Sequence, residues 1–102
     1  MTTKLERLAQ LRELLARMEG ELGLDGLSRF ERDILYAIRA LSGNGRAVPS
    51  AELRQHGLIE SMSQPTYHRA LRELVIRGYI INTDGRRWTY RDVSPPDQTA
   101  KQ

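Results

Sequence analysis

Cysteine is absent from the 102 residues. Disulfides and thiolate metal sites are thereby excluded, and nothing points to an oxidising compartment. Lysine is scarce as well: 14 of the 16 cationic residues are Arg. Aromatic residues make up 6%, with one Trp and one Phe. No apolar run approaches the roughly 18 residues of a membrane span, so no membrane contact is expected. The start MTTKLERLAQ is charged and lacks the apolar stretch of a signal peptide, so a cytoplasmic, nucleoid-associated location is expected. Two His and scattered carboxylates offer no nucleophile–base–orienter set. There is no P-loop, no G-x-G-x-x-G and no metal-ligand spacing. An enzyme, a cofactor and a bound metal are therefore not expected.

The length allows one domain and no more, and 39% apolar with 28% charged residues is a globular balance. Net charge is +3, unevenly spread. Residues 1–27 carry a net of −1, from four Lys/Arg against five Asp/Glu. Residues 61–91 carry six Arg against Glu73 and Asp84, a net of +4. A genomic bias toward Arg codons accounts for part of the Arg count but not for its clustering. Arginine suits bidentate contacts to phosphate or guanine.

Residues 4–19 hold no Gly or Pro and are rich in Leu, Ala, Glu and Arg, which predicts a helix that frays at Gly20 or continues to Leu22. Leu8, Leu11, Leu15, Met18 and Leu22 are spaced 3-4-3-4, a heptad seam flanked by Leu5 and Leu14. This is expected to be a coiled-coil-like dimerisation helix. The alternative is a helix packed along its own domain, or one that binds another protein. Residues 1–27 thus form an N-terminal helix and linker.

Ser28-x-x-Glu31 is a capping box. The helix it opens is expected to bury Phe30, Ile34, Leu35, Ile38 and Leu41, with Tyr36 partly buried. Residues 46–48 can pair as a strand. Pro49 or Ser50 then starts a short helix that Gly57 stops. Leu53 points inward, and Leu58, Ile59 and Met62 add to the core. Ser63 caps a further helix with Pro65 in its first turn, running to about Arg77 with Gly78 beyond its end. Tyr67, Ala70, Leu71, Leu74 and Val75 form its apolar stripe. Gln64, Pro65, His68, Arg69 and Arg72 fall on the other face.

Two β-rich runs flank Asp84-Gly85, a hairpin signal. A two-residue turn there pairs Asn82 with Arg87, Ile81 with Trp88 and Tyr79 with Tyr90. Tyr79, Ile81, Trp88 and Tyr90 then share the core face. Residues 94–102 are polar with two Pro and read as a disordered tail.

SQPTYHRALRELVIRGYI with its continuation NTDGRRWTY resembles the recognition helix and wing of winged helix-turn-helix regulators of the MarR-like group. The likeness covers residues 28–92. It implies a mostly α domain with a small β-hairpin, residues 28–93 being the winged helix and the N-terminal helix an addition. The connection from Leu53 to Thr66 is longer than the roughly 3–4-residue turn of a tight helix-turn-helix. The resemblance implies a homodimeric, sequence-specific regulator of transcription in bacteria that reads a pseudo-palindromic site in double-stranded DNA. Ser63, Gln64, Pro65, Thr66, His68, Arg69 and Arg72 are the candidate contacts on the helix, and Arg86 and Arg87 on the wing.

Elementary chemistry suits those roles. A helix fits the major groove, and side chains near its N-terminus reach base edges. Ser63 and Thr66 can donate to phosphate, Gln64 can pair with adenine, and Arg69 or Arg72 with guanine. The Pro65 ring or the Thr66 methyl can touch a thymine methyl. Arg86 and Arg87 can enter the minor groove or hold the backbone. Bland alternatives stand beside these. Arg69 and Glu73 are i,i+4 and can form a surface ion pair of about 0.3–0.5 kcal/mol; Arg86 and Arg87 can be solvated turn charges. Two other function classes remain open: a winged-helix adaptor or anti-repressor, and a phage or plasmid replication or partition protein. A small-molecule effector is compatible with the sequence but not indicated by it.

Overall fold

The computed structural model describes residues 3–43 and 46–82, and the backbone of 89–92. Four helices dominate: α1 (Lys4–Glu21), α2 (Arg29–Ser42), α3 (Ser50–Arg54) and α4 (Gln64–Ile76). Three short strands, β1 (Val48–Pro49), β2 (Ile80–Asn82) and β3 (Thr89–Asp92), form an antiparallel sheet in the order β1-β3-β2. No helix among the described residues is long and apolar enough to cross a membrane.

The helix starts follow local chemistry. Ser28 accepts the Glu31 N–H at 3.1 Å while the Glu31 carboxylate accepts the Ser28 N–H at 2.9 Å. That satisfies two orphan donors at once. The same box recurs with Thr3 as the N-cap of α1 and Glu6 in its first turn. Helix α4 ends at Ile76 with Arg77 as its C-cap, and Gly78 takes φ +84°, a left-handed conformation that suits glycine. The Tyr79 N–H reaches the Leu74 carbonyl at 2.9 Å and the Gly78 N–H the Val75 carbonyl at 3.0 Å, a Schellman closure.

The core lies between α2 and α4 and is floored by the sheet. Ile34, Leu35 and Ile38 of α2 meet Tyr67, Leu71 and Leu74 of α4, with Leu53, Ile59, Val48 and Ile80 closing the sides. Four residues expected on the core side, Phe30, Leu58, Val75 and Ile81, stand partly in solvent. Phe30 is half-exposed, because it stands in the first turn of α2 where cover has not yet begun. Leu58 is half-exposed while its neighbour Ile59 is buried, because the tight turn at 56–59 sends the two to opposite sides. Val75, at the edge of the α4 stripe, is also partly in solvent.

The hairpin differs from its expected register. Asn82 pairs with Tyr90 where the turn rule predicts Arg87, a shift of three residues. An odd shift exchanges the two faces. Ile80 is fully buried and Ile81 is 37% exposed, so Ile80, not Ile81, belongs to the core face. Two features explain this. The Schellman exit holds Tyr79 against the core and delivers Ile80 inward as the first strand residue. And β3 is the central strand, with Tyr90 also opposite Val48, so its register answers to two neighbours rather than to one turn. Trp88, Arg86, Arg87 and the 94–102 tail lie outside the described residues.

Candidate nucleic-acid interface

Helix α4 carries the expected contact set, and its setting begins below it. Tyr67 is 1% exposed, and its hydroxyl shares a 2.7 Å hydrogen bond with Ser50 Oγ. Burial pushes its phenol above the usual range. The Arg54 guanidinium lies over the Tyr67 ring at 4.6 Å. The same group donates to the Ile59 carbonyl at 3.3 Å and the Met62 carbonyl at 3.0 Å. One side chain thus ties α3, the long connection and α4 together. Two backbone carbonyls, which burial would otherwise leave costly, gain a cationic donor. Nothing in the sequence marked Arg54, which reads there as one more charge on a short polar helix.

The first turn of α4 is nearly saturated. Ser63 Oγ accepts the Thr66 N–H at 3.2 Å and donates its own hydrogen to Thr66 Oγ1 at 2.9 Å. Pro65 has no N–H, and the Tyr67 N–H is taken by the Ser63 carbonyl at 2.9 Å. The Thr66 hydroxyl hydrogen and the Gln64 N–H are the donors this turn still presents. Ser63 therefore acts through Thr66 rather than as a second free donor.

Pro65, Arg69 and Arg72 stand one turn apart along the outward side of α4, and all are exposed or nearly so. Gln64 and His68 flank them, also exposed, and His68 lies edge-on to Tyr67 with ring centroids 5.2 Å apart. The i,i+4 pairing of Arg69 with Glu73 does not form. Glu73 instead accepts Arg77 Nε at 2.9 Å. Among the described residues, Arg69 and Arg72 have no hydrogen-bond or ion-pair partner. Two cations a helical turn apart, unneutralised and in water, form a surface that favours an anion. No group of three or more His, Asp or Glu placed to hold a metal occurs among the described residues.

Helix α1 presents the opposite situation. Every residue from 3 to 18 is exposed, including all of the seam: Leu8 at 61%, Leu15 at 38%, and Leu11, Met18 and Leu22 in the same range or above. The seam is thus not packed along its own domain. Glu19 is the one buried residue of α1. It accepts a short hydrogen bond from the Tyr36 hydroxyl and lies 3.5 Å from Arg32 Nε. Arg32 also donates to the Leu27 carbonyl at 2.7 Å and the Leu24 carbonyl at 3.5 Å. Burial, reinforced by the bond to Glu19, holds the Tyr36 phenol well above its ordinary value. Burial likewise raises the neighbouring Asp33 carboxyl, against the pull of Arg29, Arg32 and Arg12. This polar joint fixes α1 to α2 at its C-terminal end. Comparison with known proteins found no matching family model, curated protein or solved structure, so the functional reading rests on this geometry.

Proposed function

We propose that this chain is a winged-helix protein that binds double-stranded DNA sequence-specifically as a homodimer and regulates transcription. The observation that carries the reading is the pair Arg69 and Arg72. They are exposed one helical turn apart, without a partner among the described residues, on the solvent face of a Ser-capped helix whose other face is locked to the core. Seated in a major groove, that face would place both guanidiniums against base edges, where guanine O6 and N7 accept bidentate contacts. Thr66, Gln64 and His68 would hold the helix end to the backbone, and the Pro65 ring would meet a thymine methyl. Arg86 and Arg87, which lie between β2 and β3 in the sequence, would serve as wing contacts. The antiparallel pairing of β2 with β3 supports a ribbon in that position.

Selection from random duplex DNA with the purified protein tests the class directly; a two-fold symmetric motif is the expected result. With that duplex, Arg69→Ala and Arg72→Ala should each weaken specific binding by about 1–3 kcal/mol in a gel-shift titration. Arg86→Ala and Arg87→Ala should lower affinity for all sequences and flatten its dependence on salt. If all four variants bind like the parent, the interface is elsewhere. If no duplex is enriched and the protein remains monomeric, a protein-binding adaptor is the better reading.

A further inference from the structure

We infer that two copies of the chain pair antiparallel through α1, with Leu8 packed on Met18 of the second copy and Arg7 opposite its Glu21. The inference rests on the homodimer reading above and specifies its geometry.

One flank of the α1 seam is engaged by the chain's own body at its C-terminal end, while Leu5 and Arg12 on it stay exposed. Glu19 is bonded to Tyr36 and Arg32, and Arg12, on the same side, acts electrostatically on Asp33 of α2. That flank faces the chain's own body. The other flank holds Arg7, Leu14 and Glu21, seven residues apart and all exposed. A second helix must therefore approach over the seam and this open flank.

Charge then selects the direction. With the seam positions of two copies in parallel register, Arg7 meets Arg12 of the other copy, and by symmetry this happens twice. Like charges at such flanking positions disfavour the pairing. In the antiparallel arrangement, Leu8 layers on Met18 and Leu15 on Leu11. Arg7 meets Glu21 at both ends, and Leu14 approaches its own copy beside the two-fold axis. Two Arg7–Arg12 repulsions are replaced by two Arg7–Glu21 attractions and an apolar Leu14 centre, against a single approach of Arg12 to its own copy on the other flank.

The attachment of the bodies points the same way. Each body leaves α1 at Leu22, just past the Glu19 joint. A parallel pair would crowd both bodies at one end. In the antiparallel register Leu22 lies level with Lys4 of the second copy, so the two exits are about 27 Å apart along the helix axis.

Because the chain has no Cys, introduced thiols report without interference. Leu8→Cys and Met18→Cys, each in the full chain, would be oxidised separately and as an equimolar mixture. Both sites are exposed, so the monomer fold should be unaffected. The expected result is a disulfide-linked dimer in the mixture and little in either variant alone. Cross-linking within each variant alone means a parallel pair and overturns the inference; no cross-linking in any tube means α1 does not join the copies and overturns it as well. Sedimentation provides a second readout. Arg7→Glu should raise the dimer dissociation constant several-fold, and adding Glu21→Arg should restore it. A parallel pair would respond to the first change with the opposite sign, since the introduced carboxylate would then meet Arg12. Neither measurement contains DNA. Cross-linking as expected without duplex binding would remove the DNA reading and leave the dimer. Duplex binding without the mixed cross-link would do the reverse.

Discussion

In α4, Tyr67, Ala70, Leu71 and Leu74 are buried while Arg69 and Arg72 stand in water; in α1, the leucines stand in water and the buried residue is Glu19. Both helices are amphipathic, and each leaves one face unanswered. What α4 lacks is negative charge, and what α1 lacks is apolar cover. A cation in water costs little by itself, so the open face of α4 needs no stability argument. An exposed leucine seam is different, since each buried Leu would gain roughly 1.5–3 kcal/mol. The partners proposed for the two faces are therefore chemically different, an anion for one and an apolar helix for the other.

The largest test breaks the comparison at equivalent residue types. Leu74→Ala, in the closed core, should lower unfolding free energy by about 2–5 kcal/mol in a urea melt. Leu11→Ala, in the open seam, should shift the melt of dilute monomer by less than about 0.5 kcal/mol. It should nonetheless weaken the dimer at high protein concentration. Equal losses in the two variants at low concentration would mean that α1 is covered by its own chain.

A smaller effect is expected from Arg54→Ala. It leaves the Ile59 and Met62 carbonyls without their cationic donor and removes the group stacked on Tyr67, costing about 1–3 kcal/mol. Because Arg54 spans α3, the connection and α4, any specific duplex binding should weaken too. Arg54→Lys can donate to one carbonyl but cannot bridge both and cover the ring, so it should restore only part of the loss. Full recovery with Lys would reduce Arg54 to a simple charge.

Much of α4 was legible because its signals are local. The Ser63 cap, Pro65 in the first turn, the apolar stripe and Gly78 all fall within one short segment, and the structure has each in place except Val75 at the edge of the stripe. Thr3-x-x-Glu6 carries the same box as Ser28-x-x-Glu31 and was equally readable, yet a search keyed to apolar spacing passes over it. The strand register was not legible. Asp84-Gly85 signals a tight turn locally, but Ile80 is set inward by the helix exit before it and by a strand, β1, that lies far upstream of the turn. Phe30 shows the same limit: spacing finds a stripe but not how far its cover extends. Glu19 and Arg54 were invisible because a charged residue on a helix reads as solvated until its partners, 13 to 17 residues away for Glu19, fold over it.

The smallest expected effect lies at the α1 joint itself. Asp33 sits among Arg29, Arg32 and Arg12, yet burial raises its carboxyl above the usual value of 3.8. The folded chain therefore holds that proton more tightly than the unfolded one. The corresponding stability is full below about pH 3.8 and is lost as pH rises through the folded-state value. At neutral pH the partly buried charge is a net cost, kept small because solvent screens much of it. Asn has no charge to desolvate, so Asp33→Asn should be more stable than the parent at pH 7, by less than about 1 kcal/mol, with the gap closing below about pH 4. Urea melts at the two pH values measure it. A variant less stable than the parent at neutral pH would mean that the surrounding arginines outweigh burial. The joint would then hold α1 by charge attraction rather than by the Glu19–Tyr36 hydrogen bond, and added salt should loosen it.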